Sequence, residues 1–303
     1  MSQPRLHEFW QATTQLLGER AQPARKAGRI YTFFGCRGGA GATTLAVNCA
    51  VRLAQSSPRG AVLVDLDVQL GDVLCALNLE PRDTLVDLVE DIDRLEPAAL
   101  RRRLAAHASG LYALSQVGSL SQLEALRPEA VAKLLVVLSR HFDAVLVDGV
   151  RDFSDLVLPA LDVAARIVMV LSADVPAVRA AARCVDVFRE LGYADDKLFV
   201  VVNRQRRQAA VQPAVIASKL GLPVHATVTN DFPVVARALD LGALLAERAP
   251  RARVTRDVDR LASGLREAPA TIRAPVPQPA GTGRRGFWRR LGFRGRRAGR
   301  AEP

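Results

Sequence analysis

The sequence predicts an α/β protein: one doubly wound, mainly parallel sheet with helices on both faces. Three observations predict it. Short apolar, β-rich runs alternate with longer stretches of helical periodicity along most of the chain. Several of these runs end in Gly or Asp, as strands do where a parallel sheet presents side chains to a ligand crevice. Hydrophobic residues make up 49% of the 303, enough to cover such a sheet on both sides.

The elements follow in order. Leu6, Phe9, Trp10, Thr13, Leu16 and Leu17 recur at helical spacing and predict a short amphipathic helix ahead of the main domain. Residues 22–28 form a polar, Pro-containing break. A strand is expected at 30–34, then a Gly-rich turn and a helix over about 43–54. The strand at 61–66 ends in acids. Residues 84–107 read as two helices and 111–114 as a short strand. A helix at 129–140 leads into a strand at 144–147, which again ends in an acid. Further strands are expected at 167–171, 198–202 and 224–228, with helices at 177–191, 213–220, 232–239 and 254–265. Regular alternation of the two kinds of element implies crossover connections and a parallel sheet. After Arg266, Pro269, Pro275, Pro277 and Pro279 mark an extended linker without a core-forming pattern. The expected organisation is an N-terminal helix and linker over 1–28, one globular domain over 29–267, and a Pro-rich linker with an Arg-rich tail over 268–303.

Bulk properties narrow the function. No apolar run reaches the roughly 18–20 residues of a membrane-spanning helix, and the N-terminus leads into no secretory h-region. Cys36, Cys49, Cys75 and Cys184 form no C-x-x-C pair and show no metal spacing with the four histidines, so they read as reduced thiols of a cytoplasmic protein. The net charge is +11, but residues 281–303 hold eight arginines against the single acid Glu302, leaving +4 for the remainder. The basicity therefore belongs to the tail and not to the fold.

The run Gly35-Cys36-Arg37-Gly38-Gly39-Ala40-Gly41-Ala42-Thr43-Thr44 joins the first strand to the first helix. Glycines let successive N–H groups face an anion, and the helix N-terminus adds partial positive charge. The turn departs from the G-x-x-x-x-G-K-[ST] phosphate loop at its lysine, where Ala42 stands. Asp65 and Asp67 close the second strand and Asp148 closes the strand at 144–147. At such strand ends an acid can hold Mg2+ through water while Thr43 supplies a hydroxyl ligand.

With these residues in view, the loop resembles the deviant Walker A loop of the MinD/ParA ATPases, K-G-G-x-G-K-[ST]-T, through Gly38, Gly39, Gly41, Thr43 and Thr44. The resemblance extends over most of residues 29–267, through the D-x-D after the second strand to the later strand ending in Asn203-Arg204. Within that family, G-G-x-G-A-[ST]-T and the run from Asp65 to Val73 are similar to the TadZ/CpaE branch, pilus-assembly proteins of tight-adherence (Flp) secretion systems. The resemblance implies ATP and Mg2+ as cofactors. Gly38, Gly39, Ala40, Gly41, Ala42, Thr43 and Thr44 would line the nucleotide, and Asn203 would bond the adenine edge. Thr43 and Asp148 would hold the metal, with Asp65 in its outer shell, and Asp67 would position the attacking water. The family dimerises around two ATP molecules, a loop lysine reaching across to the partner's phosphates; Arg37 occupies that position here. Ala42 removes the other lysine, which should weaken nucleotide binding about ten- to a hundredfold, since a charge-assisted hydrogen bond is worth ~1.5–3 kcal/mol. Hydrolysis should suffer more, because charge develops on the same oxygens.

The tail Phe287-Trp288-Arg289-Arg290-Leu291-Gly292-Phe293-Arg294 interleaves aromatics with arginines. A peripheral contact with the cytoplasmic face of the inner membrane is the first reading, supported by the C-terminal membrane helix of MinD-type relatives. Nucleic acid is another, and a solvated tail with no ligand a third. The resulting expectation is an ATP-binding, dimerising spatial regulator that localises or nucleates a pilus-assembly machine, with hydrolysis slow or absent. Its alternatives are a ParA-like partition ATPase acting on DNA and a pseudo-ATPase scaffold without nucleotide.

Overall fold

The computed structural model describes residues 27–92, 97–115 and 126–267. The expected N-terminal helix and the Pro-rich and Arg-rich C-terminal segments lie outside the described residues. Eight strands form one sheet: β1 (Arg29–Gly35), β2 (Ala61–Asp65), β3 (Ala105–Ala106), β4 (Leu111–Leu114), β5 (Ala144–Val150), β6 (Arg166–Ser172), β7 (Leu198–Gln205) and β8 (Val224–Thr229). Their order is β3-β4-β2-β5-β1-β6-β7-β8, parallel throughout except where β3 meets β4. The helices are α1 (Ala42–Gln55), α2 (Val73–Ala76), α3 (Leu85–Glu90), α4 (Pro97–Arg103), α5 (Pro128–His141), α6 (Leu158–Val163), α7 (Val175–Glu190), α8 (Pro213–Leu220), α9 (Phe232–Asp240), α10 (Leu245–Arg248) and α11 (Arg253–Glu267).

Alternation along the strands explains why both faces are covered. In β1, Ile30 and Phe34 enter one apolar cluster with Leu134 and Leu138 of α5 and Val185 and Phe188 of α7. Tyr31 and Phe33 enter the other, with Leu45 and Leu53 of α1 and Val258 and Leu261 of α11. β2 repeats the division, Val62 and Val64 on the first side and Ala61 and Leu63 on the second. Residues two apart share a face, so a strand apolar at every position must be sandwiched. Phe33 and Phe34 are fully buried on opposite faces, each worth about 1.5–3 kcal/mol of transfer from water.

Local sequence sets several helix ends. Thr84 and Asp87 make a reciprocal capping box at α3, Asp174 caps α7 by accepting from Ala177 N, and Gly221 ends α8 in the left-handed conformation. The two-helix expectation for 84–107 needs one correction. The helices stop at Arg103, and Ala105 and Ala106 pair antiparallel with Ala113 and Tyr112 after a turn at Gly110, φ +86. Pairing with β4 captures residues whose Ala-rich composition reads locally as helix. The short helices α2, α6 and α10 carry too few turns to show periodicity. Among the described residues no helix is long and apolar enough to cross a membrane.

Candidate functional site

The parallel strands deliver their C-terminal residues to one edge. Asp65 and Asp148 are register partners on β2 and β5, and Ser172 and Asn203 on β6 and β7. The Gly-rich loop leaves β1 between these pairs. Cys36 N donates to Val170 O at 3.0 Å, fastening the start of the loop to β6. The Cys36 thiol, hydrogen-bonded to Cys184 and buried, is held protonated well above its usual pKa, which removes it as a nucleophile.

Within the loop, Gly41 is required twice over. Its φ is +86, and a Cβ there would lie 2.5 Å from Asn203 Nδ2. Gly38 is different, because a Cβ there would meet nothing within 4 Å. The position is open, and the first turn of α1 that follows the loop has no acid and no side-chain cap. The N–H groups of that turn are thus available to an anion. Ala42 is the first residue of α1, so the turn carries no cation of its own. Ala40 is buried, whereas Thr43 and Thr44 are half-buried.

Asn203, expected at an adenine edge, is buried and donates from Nδ2 to Ala40 O at 2.8 Å. In this structure it fixes the backbone of the phosphate loop. Asp65, expected in a metal's outer shell, accepts two backbone hydrogen bonds. Oδ1 accepts from Asp67 N at 2.9 Å and Oδ2 from Val73 N at 3.2 Å, so the carboxylate ties the 65–73 turn together. Burial raises the Asp65 pKa to about 6 against those two hydrogen bonds.

Asp148 is 2% exposed and its Oδ1 has no hydrogen-bond partner. Burial pushes its pKa up to about 7, and the nearby Asp65 charge adds to this, although the Thr43 hydroxyl and Gly149 N–H donate to it. A buried carboxylate oxygen without a partner is costly unless a cation or its water completes it. The donor set fits Mg2+: one hydroxyl, one carboxylate acting through water, and room in front of the loop for ligand oxygens. Among the described residues no cluster of three His, Cys, Asp or Glu could hold a metal by itself, so any cation here depends on oxygens from water and a ligand.

Two arginines near this edge pair with acids, one within the loop and one after β5. Arg37 is 56% exposed, with Nη1 at 3.7 Å from Asp174 Oδ1. Burial raises the Asp174 pKa, but hydrogen bonds from Ser172 and Ala177 and the Arg37 charge bring it below the usual value. On the other side, Arg151 Nη2 stands 3.0 Å from Asp67 Oδ2, while Asp67 Oδ1 accepts from Leu70 N at 3.2 Å. Sequence reasoning missed Arg151 and Asp174. Arg151 follows Asp148 by three residues, but nothing local says that it turns toward the β2 loop.

The sheet order, the glycine loop before α1 and the acids at the strand ends define a P-loop fold of the MinD/ParA type. No protein-family model matches the chain. The septum site-determining protein MinD of Thermotoga maritima is 27% identical over 183 residues, which covers 58% of this chain and 64% of that protein. The chain thus spans less than two thirds of that relative's length. A ParA family ATPase from Chlorobium tepidum superposes with a TM-score of 0.74 at 19% identity, over 78% of this chain and 99% of that one. MinD from Pyrococcus horikoshii, complexed with Mg-ADP, superposes with a TM-score of 0.67 at 17% identity, over 79% and 96%. The chain is similar to MinD in sequence, and the structural neighbours show that it shares the fold of the MinD and ParA ATPases.

Proposed function

We propose that the chain binds Mg-ATP and uses it to switch between a monomer and a homodimer that acts as a spatial regulator, with hydrolysis slow or absent. The observation that carries this reading is the unpartnered, buried Oδ1 of Asp148 beside the Thr43 hydroxyl and the uncapped start of α1. Gly38, Gly39 and Gly41 would let the loop backbone face the phosphates, and Thr43 and Asp148 would hold Mg2+. That ion would supply the charge that neutralises phosphate oxygens. Ala42 leaves the cradle short of one fixed cation, which lowers affinity and, more strongly, the stabilisation of a transferring phosphoryl group. Asp67 would orient water only when released from Arg151.

Arg37 supports the dimer half of the reading. It is largely exposed and held to Asp174 at only 3.7 Å, so it is free to exchange that contact for a partner's phosphate. A similar protein is named as a septum site-determining MinD, which supports a positional role. The resemblance of the loop and of residues 65–73 to the TadZ/CpaE branch narrows that role to localising a Flp-type pilus-assembly machine, with the basic tail as a contact to the inner membrane.

Size-exclusion chromatography with light scattering tests the switch. The mass should double when millimolar Mg-ATP is added and return to the monomer value with Mg-ADP. An unchanged monomer mass in millimolar Mg-ATP sinks the reading.

A further inference from the structure

Arg151 stands at the exit of β5, immediately after the residues that end that strand. The backbone brings this segment and the turn after β2 together, so that the Arg151 side chain can reach Asp67. Gly149 has φ +79, and a Cβ there would sit 2.1 Å from Asp67 N and 2.9 Å from Asp67 Cα. Only glycine allows so close an approach, and it presses the end of β5 against the turn that follows β2. The guanidinium therefore lies beside Asp67, in the turn that follows β2.

Three features say what this cation can do. The start of α1 lacks its lysine at Ala42, and Arg37 pairs on the opposite side with Asp174 of the β6–α7 turn. Arg151 is thus a cation on the β2–β5 side of the sheet edge, paired with Asp67. It is also loosely held, being 60% exposed while Asp67 is 18% exposed. Exposed ion pairs hold weakly, and a guanidinium prefers a forked contact with phosphate over a single contact with carboxylate. Finally, with Arg151 at Oδ2 and Leu70 N at Oδ1, both oxygens of Asp67 are engaged. Arg151 thus occupies its side of Asp67 only as long as the ion pair holds.

We propose that Arg151 senses the terminal phosphate: it supplies in cis the positive charge that Ala42 withholds, exchanging Asp67 for the last phosphate of a nucleoside triphosphate. The inference rests on the nucleotide-binding reading and deepens it. The exchange does two things at once. It makes a triphosphate bind better than a diphosphate, and it frees the Asp67 carboxylate only when the triphosphate is in place.

Titration calorimetry of the full chain with Mg-ATP and with Mg-ADP tests this, comparing the wild type with Arg151→Ala and Arg151→Lys. Loss of one charge-assisted contact to the terminal phosphate should weaken Mg-ATP by about tenfold and leave Mg-ADP within about twofold. Arg151→Lys should recover part of the ATP affinity, since it restores charge without the fork. A circular dichroism melt matching that of the wild type certifies the variants as folded, as expected for a largely exposed side chain. An Arg151→Ala protein that keeps the wild-type ratio of ATP to ADP affinity overturns the proposal, whether both affinities are unchanged or both fall. A wild type that binds neither nucleotide overturns the nucleotide reading itself and is a separate outcome.

Discussion

The ends of β2 and β5 place the same residue type side by side and use it differently. Asp65 and Asp148 are register partners, both buried, both with raised pKa values. Yet Asp65 spends its two oxygens on the N–H groups of Asp67 and Val73, whereas Asp148 keeps Oδ1 unpartnered. A buried carboxylate whose hydrogen bonds are complete contributes to the fold. One left incomplete costs stability unless a ligand completes it. Gly71 makes the first arrangement possible, since a Cβ there would lie 2.2 Å from Asp65 Oδ2. The contrast separates the residue that shapes the site from the residue that would serve the ligand.

Neutralising each acid in turn should break the symmetry most visibly. Asp65→Ala strands two backbone donors, one of them buried, and should cost about 2–4 kcal/mol of stability in urea unfolding. Asp148→Asn removes a buried carboxyl that can charge only at a desolvation cost, and at pH 7 and above should leave the ligand-free protein as stable as the wild type or slightly more so, by about 1 kcal/mol. Equal losses for the two variants would show that the acids share one structural role.

A smaller effect should appear in the pH dependence. Asp148 titrates near 7 in the folded protein and near 3.9 when unfolded, so between those values the native state binds the extra proton. Stability owed to this group is therefore present at low pH and lost as pH rises toward 7. The melting temperature of Asp148→Asn relative to wild type, measured without Mg2+, should climb from pH 5 to pH 7 and then level off. A constant difference would mean that the Asp148 carboxylate is not held in its neutral form by burial.

What the sequence made legible follows from range. The apolar runs of β1, β2 and β5 and the Gly or Asp at their ends are local signals, and they located the loop and the acids at the observed edge. The division of labour was not local. Asp65 and Asp148 look alike in sequence, each a strand-end acid; only the path of the 65–73 turn shows which one is consumed. Asn203 is also a strand-end polar residue, and its bond to Ala40 depends on β7 lying two strands from the loop. Arg151 reaches Asp67 because Gly149 permits contact between segments far apart in the chain. The β3–β4 pairing failed to show for the same reason: two alanines have no strand signature until Ala113 and Tyr112 are beside them.

The central claim is that Asp148 and the glycine loop form a Mg-nucleotide site. Calorimetric titration of ATP into wild type and Asp148→Asn, each with Mg2+ and with EDTA, tests it most directly. The wild type should bind Mg-ATP and lose at least about tenfold in affinity in EDTA, while Asp148→Asn should bind weakly and equally in both. ATP affinity that is the same in wild type and variant, and indifferent to EDTA, would contradict the account.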